Sequence, residues 1–129
     1  MPRVLVVEDD PDVRDVLTRL LRRAGYVALT AINGADAIIA AQQQQPDLIL
    51  MDLMLPILNG LDATRQLKAD PRTARIPVLM LTGQFLVDDE AQARSAGCDG
   101  LILKPCPAEQ FLAYVAKFIG RSDTVGGTR

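Results

Sequence analysis

The strongest constraint on the fold is a series of short apolar runs, all but the second of which stop at a polar or charged residue. They are Val4–Val7, Tyr26–Thr30, Leu48–Met51, Ile76–Leu81 and Leu101–Leu103. Four are apolar without a break, whereas a strand wetted on one face alternates apolar with polar. Such runs suit a parallel sheet covered on both faces, and the weaker second run suits an outer strand. Helix-like segments fill the gaps. Asp10 and Pro11 read as N-cap and first helical residue, with Val13, Val16, Leu17, Leu20 and Leu21 on one face and Gly25 as the stop. Further helices are expected from Asn33 to the polar tract before Pro46, over Leu61–Lys68, and over Asp88–Ala96, closed by Gly97. The last starts near Pro107 and carries a stripe of Phe111, Leu112, Val115, Phe118 and Ile119. Strand–helix alternation with right-handed crossovers gives a doubly wound α/β sheet. Of the 129 residues, 1–120 read as one domain; 121–129 lack a core pattern and read as a polar tail or the start of a linker.

In an open parallel sheet, ligands gather outside the carboxyl ends of the strands. The first run stops at Glu8 and Asp9, the third at Asp52, the fourth at Thr82 and the fifth at Lys104. Each has a bland explanation. Acids favour helix N-termini, an aspartate can form a turn, a threonine can cap, and a lysine can simply be solvated. Taken singly, those explanations are the stronger ones. Packing does not, however, require three carboxylates, a hydroxyl and an amine on one rim.

Composition narrows what such a rim can do. The chain has no histidine, which excludes a Ser-His-Asp triad, histidine-ligated zinc and a histidine general base. A net charge of −2 with no strongly basic segment argues against direct nucleic-acid binding. No apolar run approaches the roughly 20 residues that cross a bilayer, and MPRVLVV lacks a signal-peptide pattern. Cys98 and Cys106 have no CxxC spacing, which suits a reducing cytoplasm. Carboxylates, a hydroxyl and lysine remain. Clustered carboxylates repel one another, and a hard divalent cation, Mg²⁺ or Mn²⁺ in its place, relieves that repulsion. With such an ion on Asp9 and Asp52, an oxygen of Asp52 could attack phosphorus to form an aspartyl phosphate. Lys104 and Thr82 would then meet the phosphoryl oxygens.

The stretches VLVVEDDPDVR, PDLILMDLMLPILNG, IPVLMLTG and AGCDGLILKP, in this order, resemble the receiver domain of response regulators in bacterial two-component signalling. The resemblance covers about residues 3–119. It implies a flavodoxin-like fold with five parallel strands in the order 2-1-3-4-5 and helices on both faces. Asp52 resembles the phosphoacceptor, Asp9 a direct Mg²⁺ ligand, and Glu8 an acid acting mainly through water. Met54 would lend its backbone carbonyl to the metal. Thr82 resembles the switch hydroxyl, and Lys104 the lysine that pairs with the phosphoryl group, aimed by a cis Lys104–Pro105 peptide. Departures from the usual pattern are Leu55-Pro56 for Met-Pro, Asn59-Gly60 for Asp-Gly, Gly83 for Ala and Cys106 for Phe. Leu101 stands where an aromatic residue usually swings inward on activation.

The resemblance implies a partner that donates phosphoryl groups, either a sensor histidine kinase or a histidine phosphotransfer protein. It also implies a downstream protein on the helix 4–strand 5–helix 5 face, which can equally serve a homodimer, and a cytoplasmic setting without membrane association. Three other readings compete. The chain could be the N-terminal receiver half of a longer DNA-binding or enzymatic regulator. It could be a scaffold that works without phosphorylation, though Leu101 alone favours that. A turnover phosphatase would need a second carboxylate where Met54 stands.

Overall fold

The computed structural model describes residues 1–83, 87–104 and 106–126. Strands and helices alternate throughout: β1 (Arg3–Val7), α1 (Pro11–Arg23), β2 (Val27–Ala31), α2 (Gly34–Gln44), β3 (Leu48–Asp52), α3 (Gly60–Ala69), β4 (Val78–Thr82), α4 (Val87–Ala96), β5 (Gly100–Leu103) and α5 (Ala108–Gly126). The strands form one parallel sheet in the order β2-β1-β3-β4-β5. The doubly wound architecture expected from the apolar runs is therefore the one observed.

Every residue of β3 and β4 is buried, which explains why those runs show no alternation. Alternate side chains enter two separate cores. Leu5, Val7, Ile49, Met51, Val78 and Met80 point to the side covered by α2 and α3. Val4, Val6, Leu48, Leu50, Leu79 and Leu81 meet Leu21 of α1 and the α5 stripe of Phe111, Val115, Phe118 and Ile119. Each fully buried side chain of this kind is worth about 1.5–3 kcal/mol, so the central strands anchor whatever stands at their ends. The outer strands β2 and β5 are only partly covered.

Helix starts follow local chemistry. Asp10 accepts the Asp12 amide at 2.9 Å, Asn33 that of Asp36 at 2.8 Å, and Asn59 that of Asp62 at 2.9 Å. Asn59-Gly60 therefore does more than turn the chain. Asn59 caps α3, and Gly60 is its first residue, buried where a Cβ would fall on the Asp52 carbonyl oxygen. Two strands also start later than their apolar runs. Ile76 lies in the loop before β4, its amide bonded to the Thr73 carbonyl at 3.0 Å, and β2 is shifted one residue onward to Ala31. Helix α5 runs to Gly126, past the end of its apolar stripe.

Helix α4 is polar, and among its described side chains Ala93 and Ala96 are the buried ones. The loop after it is tied to α3 by Lys68. The ammonium lies 3.0 Å from Asp99 Oδ2 and donates to the carbonyls of Ala74 and Ile76 at 3.2 and 2.8 Å. Asp99 Oδ2 also accepts the Val78 amide at 2.8 Å. Burial, followed by the neighbouring Asp99 charge, pushes the Cys98 thiol above its ordinary value, and burial does the same to Cys106. Neither has the lowered value of a reactive thiolate.

Candidate functional site

All five sequence-derived positions stand at the carboxyl edge of the sheet, because parallel strands deliver their ends to the same side. Glu8 and Asp9 follow β1, Asp52 and Thr82 close β3 and β4, and Lys104 follows β5. Carboxylate oxygens of Glu8, Asp9 and Asp52 lie within 4.8 Å of one another. Asp9 is exposed, whereas Glu8 and Asp52 are buried at 2% and 7% exposure. The mouth is thus acidic and open on the Asp9 side, with a desolvated wall behind.

Lys104 offsets part of that charge. Its Nζ is 3.0 Å from Glu8 Oε1 and 3.6 Å from Asp52 Oδ1. The Asp52 carboxylate also accepts the Met54 amide at 3.2 Å, again on Oδ1, so Oδ2 carries neither contact. Glu8 Oε2 accepts the Asp10 amide at 3.2 Å. A buried carboxylate needs such partners, since an unpaired charge out of water is very costly. The set presents hard oxygen donors with one cation for three acids, which is the chemistry that suits Mg²⁺.

Thr82 is buried, and its carbonyl accepts the Lys104 amide at 2.7 Å, which couples the ends of β4 and β5. Leu101 is half-buried against the α2–α3 core. Met54 is 77% exposed, with its side chain at the rim. Pro105 and Gln84 lie outside the described residues, and with them the Lys104–Pro105 peptide.

One contact at the site escaped the reading of strand ends. Arg14 on α1 donates from Nη1 to the Glu8 carbonyl at 2.9 Å and to that of Asp9 at 3.5 Å, bracing the acidic loop from below. Asp10 takes the role of α1 cap expected from the sequence, and it stands outside the acidic trio. Beside Lys104, an apolar groove of about 660 Å³ runs between α1 and α5, lined by Val13, Val16, Leu17, Leu20, Cys106 and Phe111.

Comparison with known proteins decides the family. Residues 4–116 match the response regulator receiver domain. The chain belongs to the response-regulator receiver family. The receiver is 38% identical to PilH of Pseudomonas aeruginosa over 115 residues, 89% of this chain and 95% of that protein. It is 41% identical to the DNA-binding dual master transcriptional regulator RpaA of Synechocystis over 125 residues, 97% of this chain. There the receiver spans only 52% of the relative, about half its length. Among solved structures, the receiver domain of the sensor histidine kinase PA1611 of Pseudomonas aeruginosa superposes with a TM-score of 0.87 at 33% identity, covering 92% of this chain and 98% of that one. That structure has a magnesium ion coordinated in its active-site cleft.

Proposed function

We propose that this receiver is a phosphorylation switch in which Asp52 is the acceptor. The observation that supports it most is the acidic trio within 4.8 Å, with the Lys104 ammonium bridging its two buried members. In this reading Asp9 and Asp52 hold Mg²⁺ with the Met54 carbonyl, and Glu8 acts through water. The ion, when bound, supplies positive charge to the phosphoryl oxygens and screens the three carboxylates from one another.

The remaining work falls to the chain's own groups. Asp52 attacks phosphorus as the P–N bond of a phosphohistidine breaks, the imidazole nitrogen leaving with the electron pair and taking up a proton. The chain contains no histidine, so that group comes from a sensor histidine kinase or a histidine phosphotransfer protein. Lys104 neutralises charge on the transferring group, and the Thr82 hydroxyl turns toward a phosphoryl oxygen. The product is an acyl phosphate that carries about two negative charges where the carboxylate carried one, with three strong acceptor oxygens on phosphorus. Because the Lys104 amide is bonded to the Thr82 carbonyl, movement of either strand end draws on the other. That movement, with Leu101 in place of an aromatic residue, reshapes the α4–β5–α5 face for a downstream protein or a second copy. The setting is cytoplasmic, with residues 1–120 as the receiver and 121–129 as a tail or the start of a linker.

The test is phosphoryl uptake from phosphoramidate followed over a Mg²⁺ titration. Uptake should vanish when Mg²⁺ is removed by chelation. Asp9→Asn should raise the half-saturating Mg²⁺ concentration by about tenfold or more, as loss of a direct ligand does. Uptake that is indifferent to Mg²⁺ and to Asp9 would contradict the proposal.

A further inference from the structure

Strand β2 closes one end of the sheet, with a neighbouring strand on one side only. Two bonds fix which of its backbone groups that neighbour uses. The Val27 amide donates to the Pro2 carbonyl at 2.9 Å, and the Ala31 carbonyl accepts the Glu8 amide at 3.1 Å. With Arg3 opposite Val27 and Val7 opposite Ala31, the parallel ladder engages Val27, Leu29 and Ala31. The amides and carbonyls of Ala28 and Thr30 therefore point out of the sheet. Proteins usually blunt such an edge with a lysine, a proline or a bulge. This edge has none of them. From Ala24 to Ala35 the chain carries neither charge nor proline, and the pairing with β1 runs unbroken. Apolar surface adjoins the edge. Val27, Ile32 and Ile39 are exposed, and a hollow of about 420 Å³ lies between β2 and α2, bounded by Thr30, Ala31, Ile32, Asp36, Ile39 and Ala40.

We propose that this edge pairs with a second copy of the chain, antiparallel about a dyad at Leu29. The occupant follows from self-complementarity, which a two-fold contact demands. In that register Ala28 faces Thr30 of the other copy, and the two exchange their outward amide–carbonyl bonds; the dyad repeats the exchange. Leu29 meets its own counterpart as a non-hydrogen-bonded pair. Val27 stands opposite Ala31 of the other copy, on the face that α2 covers, so each copy places an exposed apolar side chain at the hollow of the other. Antiparallel pairing also sets the Arg23 end of one strand beside the Asp36 end of the other, so the flanking charges are opposite in sign. Asp52 on β3 and the whole of β5 lie away from the contact. The pairing is therefore separate from the α4–β5–α5 face and holds whether or not Asp52 is phosphorylated.

The test is sedimentation equilibrium over about 10–1,000 μM protein without a phosphodonor, beside hydrogen exchange of single amides. We expect a monomer–dimer equilibrium, with exchange of the Ala28 and Thr30 amides slowing as dimer forms. Thr30→Pro removes an outward donor and no bond to β1, which an edge strand tolerates. Ile39→Lys charges the hollow from the helix side. Each should raise the dimer Kd at least about tenfold, since the dyad imposes every change twice. If Thr30→Pro fails to fold, Ile39→Lys alone decides. A wild type that stays monomeric throughout would overturn the inference and leave the edge to a foreign strand. A folded variant that dimerises as tightly as wild type would overturn it too. So would a dimer that Leu103→Lys dissolves, which places the contact on the β5 edge. A dimer that forms only with Mg²⁺ and phosphoramidate, and is lost in Asp52→Asn, would equally contradict it.

Discussion

Gly60→Ala is expected to destabilise the protein by about 3 kcal/mol, read as a lower urea midpoint at unchanged slope. A Cβ at residue 60 would fall on the Asp52 carbonyl oxygen, and Leu53 Cα is 3.1 Å away. Both obstacles are backbone atoms, and a backbone cannot rotate aside as a side chain can. The start of α3 and the end of β3 must separate, and the Gly60 amide, bonded to the Leu53 carbonyl at 3.2 Å, loses its partner. The same substitution at Gly83 should behave oppositely. Among the described residues nothing lies within 4 Å of a Cβ there, and its φ is not in the left-handed region. Gly83→Ala should therefore raise stability by about 0.5 kcal/mol through the unfolded chain. Similar losses from both substitutions would refute the close approach at Gly60.

Lys104→Met should have the largest effect of any change outside the proposed acceptor, Asp52. It leaves Glu8, 2% exposed, without its cationic partner and places three carboxylates together with no compensating amine. Removing one member of a buried pair can cost several kcal/mol; Lys104 is partly solvated, which reduces this to on the order of 1–2 kcal/mol. Phosphoryl uptake from phosphoramidate should fall about 10²-fold, the usual consequence of losing one group aimed at developing charge. A second readout separates charge from packing. Added Mg²⁺ should raise the melting temperature more in Lys104→Met than in wild type, because an ion relieves repulsion that the amine had already reduced. Equal Mg²⁺ shifts in the two proteins would show that Lys104 does not share charge with an ion held by the acidic trio.

Much of this was legible in the sequence because the two central strands are covered on both faces. Burial of all of Leu48–Asp52 and Val78–Thr82 leaves no alternation, so the runs and their polar ends stood out plainly. Parallel pairing then placed Glu8, Asp9, Asp52, Thr82 and Lys104 on one edge. What stayed hidden depends on distances rather than on residue type. Asn59-Gly60 reads as a turn pair, and only the packing of α3 against the end of β3 shows why the glycine cannot carry a side chain. Arg14 looks like one more charge on the wet face of α1, yet it braces the Glu8–Asp9 loop. Ile57 carries no signal at all, since an isoleucine after proline does not announce a positive φ. Helix α4 has a weak pattern because alanines supply its described buried contacts, and small side chains leave little periodicity.

The most direct measurement is intact mass after incubation with Mg²⁺ and phosphoramidate, with Asp52→Asn treated in parallel. Asparagine keeps a carbonyl oxygen to accept the Met54 amide but lacks the nucleophilic carboxylate, so the fold should survive without the chemistry. The account predicts a gain of one acid-stable, base-labile phosphoryl group in the wild type and none in the variant. An unchanged wild-type mass with Mg²⁺ bound and the protein folded, or an equal gain in Asp52→Asn, would contradict it.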